Sequence, residues 1–149
     1  MSIISKFLGI AKADSLQLGN QISYTKRVTL TAAQIKALYT TPISLVAAPG
    51  AGKYVLVDDI DATLNYGTAA FTGNNAVEVR YTDGSGAKVT GDLAYAWLLG
   101  TATAAVRAVP AAVTPVANAA VVVAVPTANP AAGDSTVSIE VNYRIVTLP

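Results

Sequence analysis

Residues 46–55, VAAPGAGKYV, carry two glycines and a lysine at a spacing that could cradle a phosphate group. The phosphate-loop pattern G-x-x-x-x-G-K-[ST] needs a glycine five residues before Gly52 and a hydroxyl residue after the lysine. Those positions hold Ala47 and Tyr54. The motif must also open a helix, whereas the following KYVLV is β-branched and aromatic and favours a strand. The stretch therefore predicts a strand–turn–strand and no nucleotide binding.

Three aspartates form the only close group of carboxylates that could hold a cation. Asp59 and Asp61 point to the same face of an extended strand, with Asp58 preceding them. A calcium loop would need a glycine where Leu64 stands and a glutamate at its last ligand position, and this segment has neither. The pattern favours a solvated strand end with a bulge or bend at the aspartate pair; a hard-cation site is the alternative.

Other chemistry-bearing residues have a structural and a functional interpretation. Asp83 in DGSG and Asp134 in AGDS lie in turns, where an aspartate bonds local backbone amides. Tyr95 and Trp97 in LAYAWLLG could stack on a sugar ring. Their leucine and alanine neighbours favour a place in the core or at a subunit interface instead.

The composition narrows the function classes further. The 149-residue chain has no cysteine and no histidine, which excludes disulfides and thiolate zinc sites and removes the usual proton-transfer group near neutral pH. We therefore predict a protein that is not an enzyme and that needs no cofactor or metal.

Charge and hydropathy indicate which partners the chain can have. The net charge is +1 and only 13% of residues are charged, so no basic patch is available for nucleic acid. Hydrophobic residues reach 52% and the mean hydropathy is +0.46, yet the most apolar stretch (residues 117–126) is too short to span a membrane. The low fraction of charged residues and the high fraction of hydrophobic ones favour a surface that is buried in an oligomer or against a partner.

The N-terminal residues differ from the rest of the chain. Ile3, Ile4, Phe7 and Leu8 recur at helical spacing, which predicts a short amphipathic helix. No basic segment precedes the apolar residues, so we expect no secretion signal and a chain made in the cytoplasm of its host. We predict a helical arm and linker over residues 1–18, with the four apolar side chains contacting a partner. Packing on the chain's own domain is the alternative.

One further helix carries two independent signals. Thr31 and Gln34 form a capping box, and Leu30 with Ile35 forms a hydrophobic staple around it. These predict a helix near residues 32–39 that ends before Pro42.

Period-two alternation dominates the remainder. It marks residues 22–30, 60–66, 77–81 and 137–145, with Lys26 breaking the apolar face as on an edge strand. AVVVAVP predicts a strand buried on both faces, and residues 87–116 favour short strands and turns. About eight strands with regular turn signals predict a mainly β, single-domain, jelly-roll-like β-sandwich over residues 19–149.

Residues 27–71 also resemble a pattern in small virion structural proteins of tailed bacteriophages. The shared pattern is L-T-x-x-x-I-x-x-L-x-x-T-P-I-x-L-V-x-A-P-G-x-G-K, followed by a strand and L-x-Y-G-T; the closing VNYRIVTL is similar to their V-x-Y-R end strand. The resemblance implies a jelly roll acting as capsid cement or decoration, often a trimer, without catalytic residues.

Two functions from different classes follow. The first is a homotrimeric cement or decoration protein on the capsid exterior that binds and stabilises neighbouring major capsid subunits. The alternative is a head-fibre or tail-associated module that contacts the host and binds carbohydrate. A carbohydrate binder should present a polar, aromatic-lined pocket, whereas a cement protein should present broad apolar contacts.

Overall fold

The computed structural model describes residues 22–73 and 76–148. The predicted arm and linker, including Ile3, Ile4, Phe7 and Leu8, lie outside the described residues. The fold is mainly β, as predicted. The strands are β1 (Ser23–Leu30), β2 (Ile43–Val46), β3 (Lys53–Asn65), β4 (Phe71–Thr72), β5 (Glu78–Tyr81), β6 (Ala104–Ala108), β7 (Val121–Ala124), β8 (Ala131–Ala132) and β9 (Thr136–Thr147). Two single-turn helices are α1 (Ala32–Ile35) and α2 (Tyr95–Leu98).

The strands form a four-stranded sheet in the order β1-β9-β3-β6, a three-stranded sheet in the order β2-β7-β5 and the small pair β4-β8. All pairings are antiparallel. Neighbouring strands are distant in sequence, because β9 closes the chain and lies between β1 and β3. This order is compatible with the predicted jelly roll. Strand β1 is an edge strand, as its off-pattern lysine indicated.

Alternation on the long strands supplies the core. Ile60, Ala62 and Leu64 of β3 pair with Val141, Ile139 and Val137 of β9, and all six are buried. Strand β7 is buried along its whole length, as its continuous valines predicted. The hydroxyl of buried Tyr81 in β5 donates to the carbonyl of Val55 in β3 over 2.7 Å, so this bond joins the two sheets.

The capped helix is shorter than predicted. The capping box of Thr31 and Gln34 is present in full, and Leu30 and Ile35 are both buried. The helix nevertheless ends at Ile35. Beyond it the amide of Tyr39 donates to the side chain of Asn129 over 2.8 Å and so makes no helical bond to Ile35. The α-helical bonds already stop at Ala37 and Leu38, whose amides donate to the carbonyls of Gln34 and Ile35, three residues back, and Asn129 then binds the amide of Tyr39.

The glycine-rich turn does connect two strands, but they do not pair. Strand β2 lies in the three-stranded sheet and β3 in the four-stranded sheet, so the turn carries the chain from one sheet to the other. The segments KYVLV and IDATLNY were predicted as separate strands; they form one strand of 13 residues. The expected bulge is present, because the register with β9 shifts between Val57 and Asp59.

Three segments contain more structure than the sequence indicated. LAYAWLLG includes the unpredicted helix α2, whereas β6 at residues 104–108 is one of the short strands expected within residues 87–116. The loop GTAAFTGNN contributes β4, which pairs with β8 from the turn cluster TANPAAGDS. Two-residue strands carry too little alternation to be predicted from sequence.

Candidate functional site

The glycine-rich turn has no free phosphate cradle. Gly50 and Gly52 have φ angles of +98° and +70°, in the region that favours glycine. The amide of Gly50 donates to the side chain of Asn118 over 3.0 Å, and Lys53 begins a strand rather than a helix. The backbone donor that an anion would need is therefore already used in fixing the loop.

The three aspartates pair with arginine side chains. Asp59 accepts hydrogen bonds from Arg107 over 2.7 Å and from Asn142 over 2.8 Å, and the Arg107 Nε lies 3.8 Å from Asp61. Asp58, the bulge residue, receives both Nε and Nη2 of Arg144. The bonds from Asn142 and Arg107 hold the pKa of Asp59 below its usual range. The described residues contain no cluster of three or more side chains placed to ligate a metal.

These pairs belong to a polar ladder that crosses the outer face of the four-stranded sheet. Thr25 donates to Asn142 over 2.6 Å, which continues the chain of bonds from Asp59 to the edge strand. On the same face Arg27 lies 3.0 Å from Glu140. Each charge on this face has a neighbour of opposite sign on an adjacent strand, so the charges are paired within the chain.

A second charged cluster lies on the three-stranded sheet. The alternation over residues 77–81 points Glu78 away from the core and so predicts that it faces solvent, but its side chain is only 5% exposed. It binds Arg80 Nε over 2.6 Å and Lys88 Nζ over 2.6 Å. Lys88 also reaches Asp92 over 2.8 Å. The alternation correctly placed Glu78 opposite the core, but the segment that pairs alongside β5 brings Lys88 to it.

The two turn aspartates behave differently from each other. Asp83 bonds its own turn, as predicted, because its Oδ1 accepts from the amide and the hydroxyl of Ser85. For Asp134 the local prediction is wrong. Its carboxylate accepts from the amides of Thr68 and Ala69 and from the Thr68 hydroxyl, across to another loop. These bonds lower the pKa of Asp134 from 3.8 to about 2.

The aromatic pair in LAYAWLLG serves packing. Tyr95 and Trp97 pack against the core, and the Trp97 indole N–H donates to the carbonyl of Ala104 over 2.9 Å. With its polar edge bound to the neighbouring strand, Trp97 supports the core interpretation and not the sugar platform.

An exposed aromatic corner lies where β1 begins. The Tyr24 and Tyr143 rings stack with centroids 5.4 Å apart, and Ile22 just before them is 61% exposed. Register pairs Tyr24 with Tyr143 on the core-facing side of the sheet. We call Ile22, Tyr24 and Tyr143 the aromatic corner; it is exposed apolar surface at the start of β1.

An open groove of about 540 Å³ lies between three loops. It is lined by Tyr39, Pro42, Asp83, Gly84, Ser85, Val125 and Pro126. Tyr39 is 49% exposed, whereas Val125 is buried. The groove thus has an aromatic wall, an apolar floor and one carboxylate. Sequence reasoning did not bring these residues together, because the three loops lie far apart along the chain.

Both walls of the groove are held in place. Asn129 accepts from the Tyr39 amide and donates to the Thr40 hydroxyl over 3.3 Å. On the opposite wall Thr82 has a φ of +69°, an unusual conformation for a β-branched residue, and its amide donates to the carbonyl of Ala120 over 2.8 Å. The Ser85 hydroxyl and amide keep the pKa of Asp83 below its usual range, so the carboxylate is charged at neutral pH.

Among residues 22–73 and 76–148, no helix is long and apolar enough to cross a membrane.

Comparison with known proteins gives a fold likeness. No family model matches the chain, and no curated protein matches it. Among solved structures, a chain of the Cyanophage Pam1 capsid asymmetric unit is 18% identical, with a TM-score of 0.51, and the match covers 87% of this chain and 86% of that chain. A chain of the capsid of Ralstonia phage GP4 is 16% identical with a TM-score of 0.46, covering 85% and 84%. At such identity the Pam1 match supports a shared fold.

Proposed function

We propose that the protein is a virion structural protein, a capsid cement or decoration protein that binds neighbouring major capsid subunits on the shell exterior. The observation that carries this is the fold likeness to a chain of the Pam1 capsid over 87% of this chain. The phage-type pattern over residues 27–71 and the closing VNYRIVTL support the same role independently, because they rest on residue types and not on the backbone.

The surface supports a partner-binding role that involves no catalysis. On the outer face of the four-stranded sheet the charges are paired with one another, and in the glycine-rich turn the amide of Gly50 is already bonded to Asn118. The aromatic corner leaves apolar area in water, which is typical of a surface that another chain covers. In the proposal, the corner and the arm residues Ile3, Ile4, Phe7 and Leu8 form one continuous capsid contact.

The carbohydrate-binding alternative is less well supported. It requires a pocket in which several polar side chains converge beside an aromatic ring. The Tyr39 groove has the ring, but the Ser85 hydroxyl already donates to Asp83, and no amide side chain lines it. A sugar would find few free hydrogen-bonding groups there.

The arm tests the attachment. A variant with Ile3, Ile4, Phe7 and Leu8 changed to serine is compared with a matched control, Ser2→Ala with Ser5→Ala, for binding to undecorated capsids. Each apolar side chain is worth about 1.5–3 kcal/mol when buried, so losing four should weaken binding more than about 100-fold. The control should bind normally, and both should melt like the parent. Normal binding by the serine variant would contradict the arm contact.

The oligomeric state is measured separately. Light scattering on the purified chain should give three times the 15.2 kDa chain mass if the homotrimer forms before attachment. A monomer in solution and on the particle would contradict the trimer while leaving capsid binding intact. Absence of the protein from purified particles would instead contradict the virion role itself.

A further inference from the structure

We propose that the groove between Tyr39 and Asp83 is a binding site for an arginine side chain of a protein partner. The proposal does not depend on the virion role, since it follows from the groove's own residues. The groove volume of about 540 Å³ falls in the range of about 300–1,000 Å³ that is usual for ligand sites.

Charge is the first argument for a cationic occupant. Asp83 is the one ionised residue among those lining the groove. The guanidinium of nearby Arg80 bonds Glu78 and the carbonyl of Gly86; its charge acts on Asp83 from a distance but forms no ion pair with it. The groove therefore presents a carboxylate that lacks an ion pair within the described residues. A cation from another molecule would complete it.

The aromatic ring is the second argument, and it favours arginine. A cation over the face of a tyrosine ring gains electrostatic attraction from the ring. The planar guanidinium stacks on aromatic rings and matches a carboxylate with paired N–H donors, which a lysine ammonium cannot do. Pro42, Pro126 and Val125 offer apolar surface for the aliphatic part of the same side chain.

The site is also formed in advance of binding. Asn129 fixes the Tyr39 loop, and the Ser85 bonds hold Asp83. The amide of Gly86 donates to the carbonyl of Asp83 over 3.3 Å, which closes the same turn. A preformed site loses little entropy on binding.

Amide NMR titration of the full chain tests the proposal with N-acetyl-arginine amide as the probe. The amides of Gly84, Ser85 and Val125 should shift. N-acetyl-citrulline amide, which has nearly the same shape without the charge, should leave them unshifted. Asp83→Asn keeps Oδ1 to accept from Ser85, so the turn is retained, and it should weaken arginine binding about fivefold, the loss expected for one exposed ion pair.

Two further variants separate the ring from the fold. Tyr39→Phe keeps the aromatic face and should bind like the parent, whereas Tyr39→Ala should weaken binding without changing the melting temperature. Asp61→Asn, an exposed aspartate of the polar ladder, is the matched control and should bind normally. Equal binding of citrulline, no effect of Asp83→Asn, or no shifts at all would overturn the proposal. Shifts with methyl glucoside but not with arginine would overturn it in favour of a carbohydrate site.

Discussion

Glu78 and Glu140 occupy equivalent positions on different sheets, and their environments differ sharply. Each points away from the core on its strand and binds an arginine. Glu78 is 5% exposed and contacts two cations, whereas Glu140 is 32% exposed and contacts only Arg27, itself 69% exposed. The segment that pairs alongside β5 brings Lys88 to Glu78, whereas Glu140 pairs with Arg27 on the edge strand β1.

Burial changes what the same ion pair contributes. In water an exposed pair is screened and contributes about 0–1 kcal/mol. A buried carboxylate has lost most of its hydration, so removing its charge takes one ionic partner from Arg80, which keeps the carbonyl of Gly86, and one from Lys88, which keeps Asp92. The comparison shows that the burial of a charged side chain, more than the number of its ion pairs, determines how much it contributes to the stability of this fold.

The largest expected effect is on the cluster around buried Glu78. Glu78→Gln should destabilise the fold by about 3 kcal/mol, at the low end for a broken buried pair because Arg80 and Lys88 still reach water. Glu140→Gln is the matched control and should cost less than about 1 kcal/mol. Urea unfolding midpoints of the two variants give the comparison directly. Equal costs would mean that the burial of Glu78 adds nothing to what its ion pairs contribute.

An intermediate effect is expected within the polar ladder. Asp59→Ala removes the acceptor shared by Arg107 and Asn142, so it should cost about 1 kcal/mol. Asp61→Ala removes only the longer 3.8 Å contact and should leave the melting temperature nearly unchanged. Thermal melting of both variants distinguishes them. A larger cost for Asp61→Ala than for Asp59→Ala would mean that Arg107 binds mainly Asp61, which contradicts the prediction.

The smallest effect at neutral pH concerns Asp134, which is exposed yet holds two loops together. Its pKa is lowered in the folded state, from 3.8 to about 2. Its stabilising contribution is therefore complete above about pH 4 and is lost as the pH falls toward 2.

Asp134→Asn tests this pH dependence. The variant should flatten the acid side of the stability profile between pH 4 and 2, as urea midpoints measured across that range would show. An unchanged acid slope would mean that the bonds from Thr68 and Ala69 do not distinguish the charged form from the neutral one.

Much of the fold could be predicted because its signals are local. The alternation in residues 137–145 requires only that one face be buried, and β9 follows it. The capping box needs only Thr31 and Gln34, three residues apart. Asp83 belongs to the same kind, since its bonds close within its own turn.

The candidate sites required contacts between distant residues. Tyr39, Asp83 and Pro126 line one groove, but each belongs to a different turn, and no spacing rule connects them. The position of Tyr39 depends on a distant residue as well, because its amide donates to the side chain of Asn129, 90 residues away.

By itself, then, the sequence determined which residues alternate, where the chain turns, and that no histidine or cysteine chemistry is available. Only the tertiary structure decided that Glu78 is buried, that Asp134 binds a distant loop, and that β2 and β3 lie in different sheets. The reason is the distance along the chain over which each effect acts. Strand periodicity and caps follow from the backbone within a few residues, whereas burial of a charge depends on which distant segment excludes water from it.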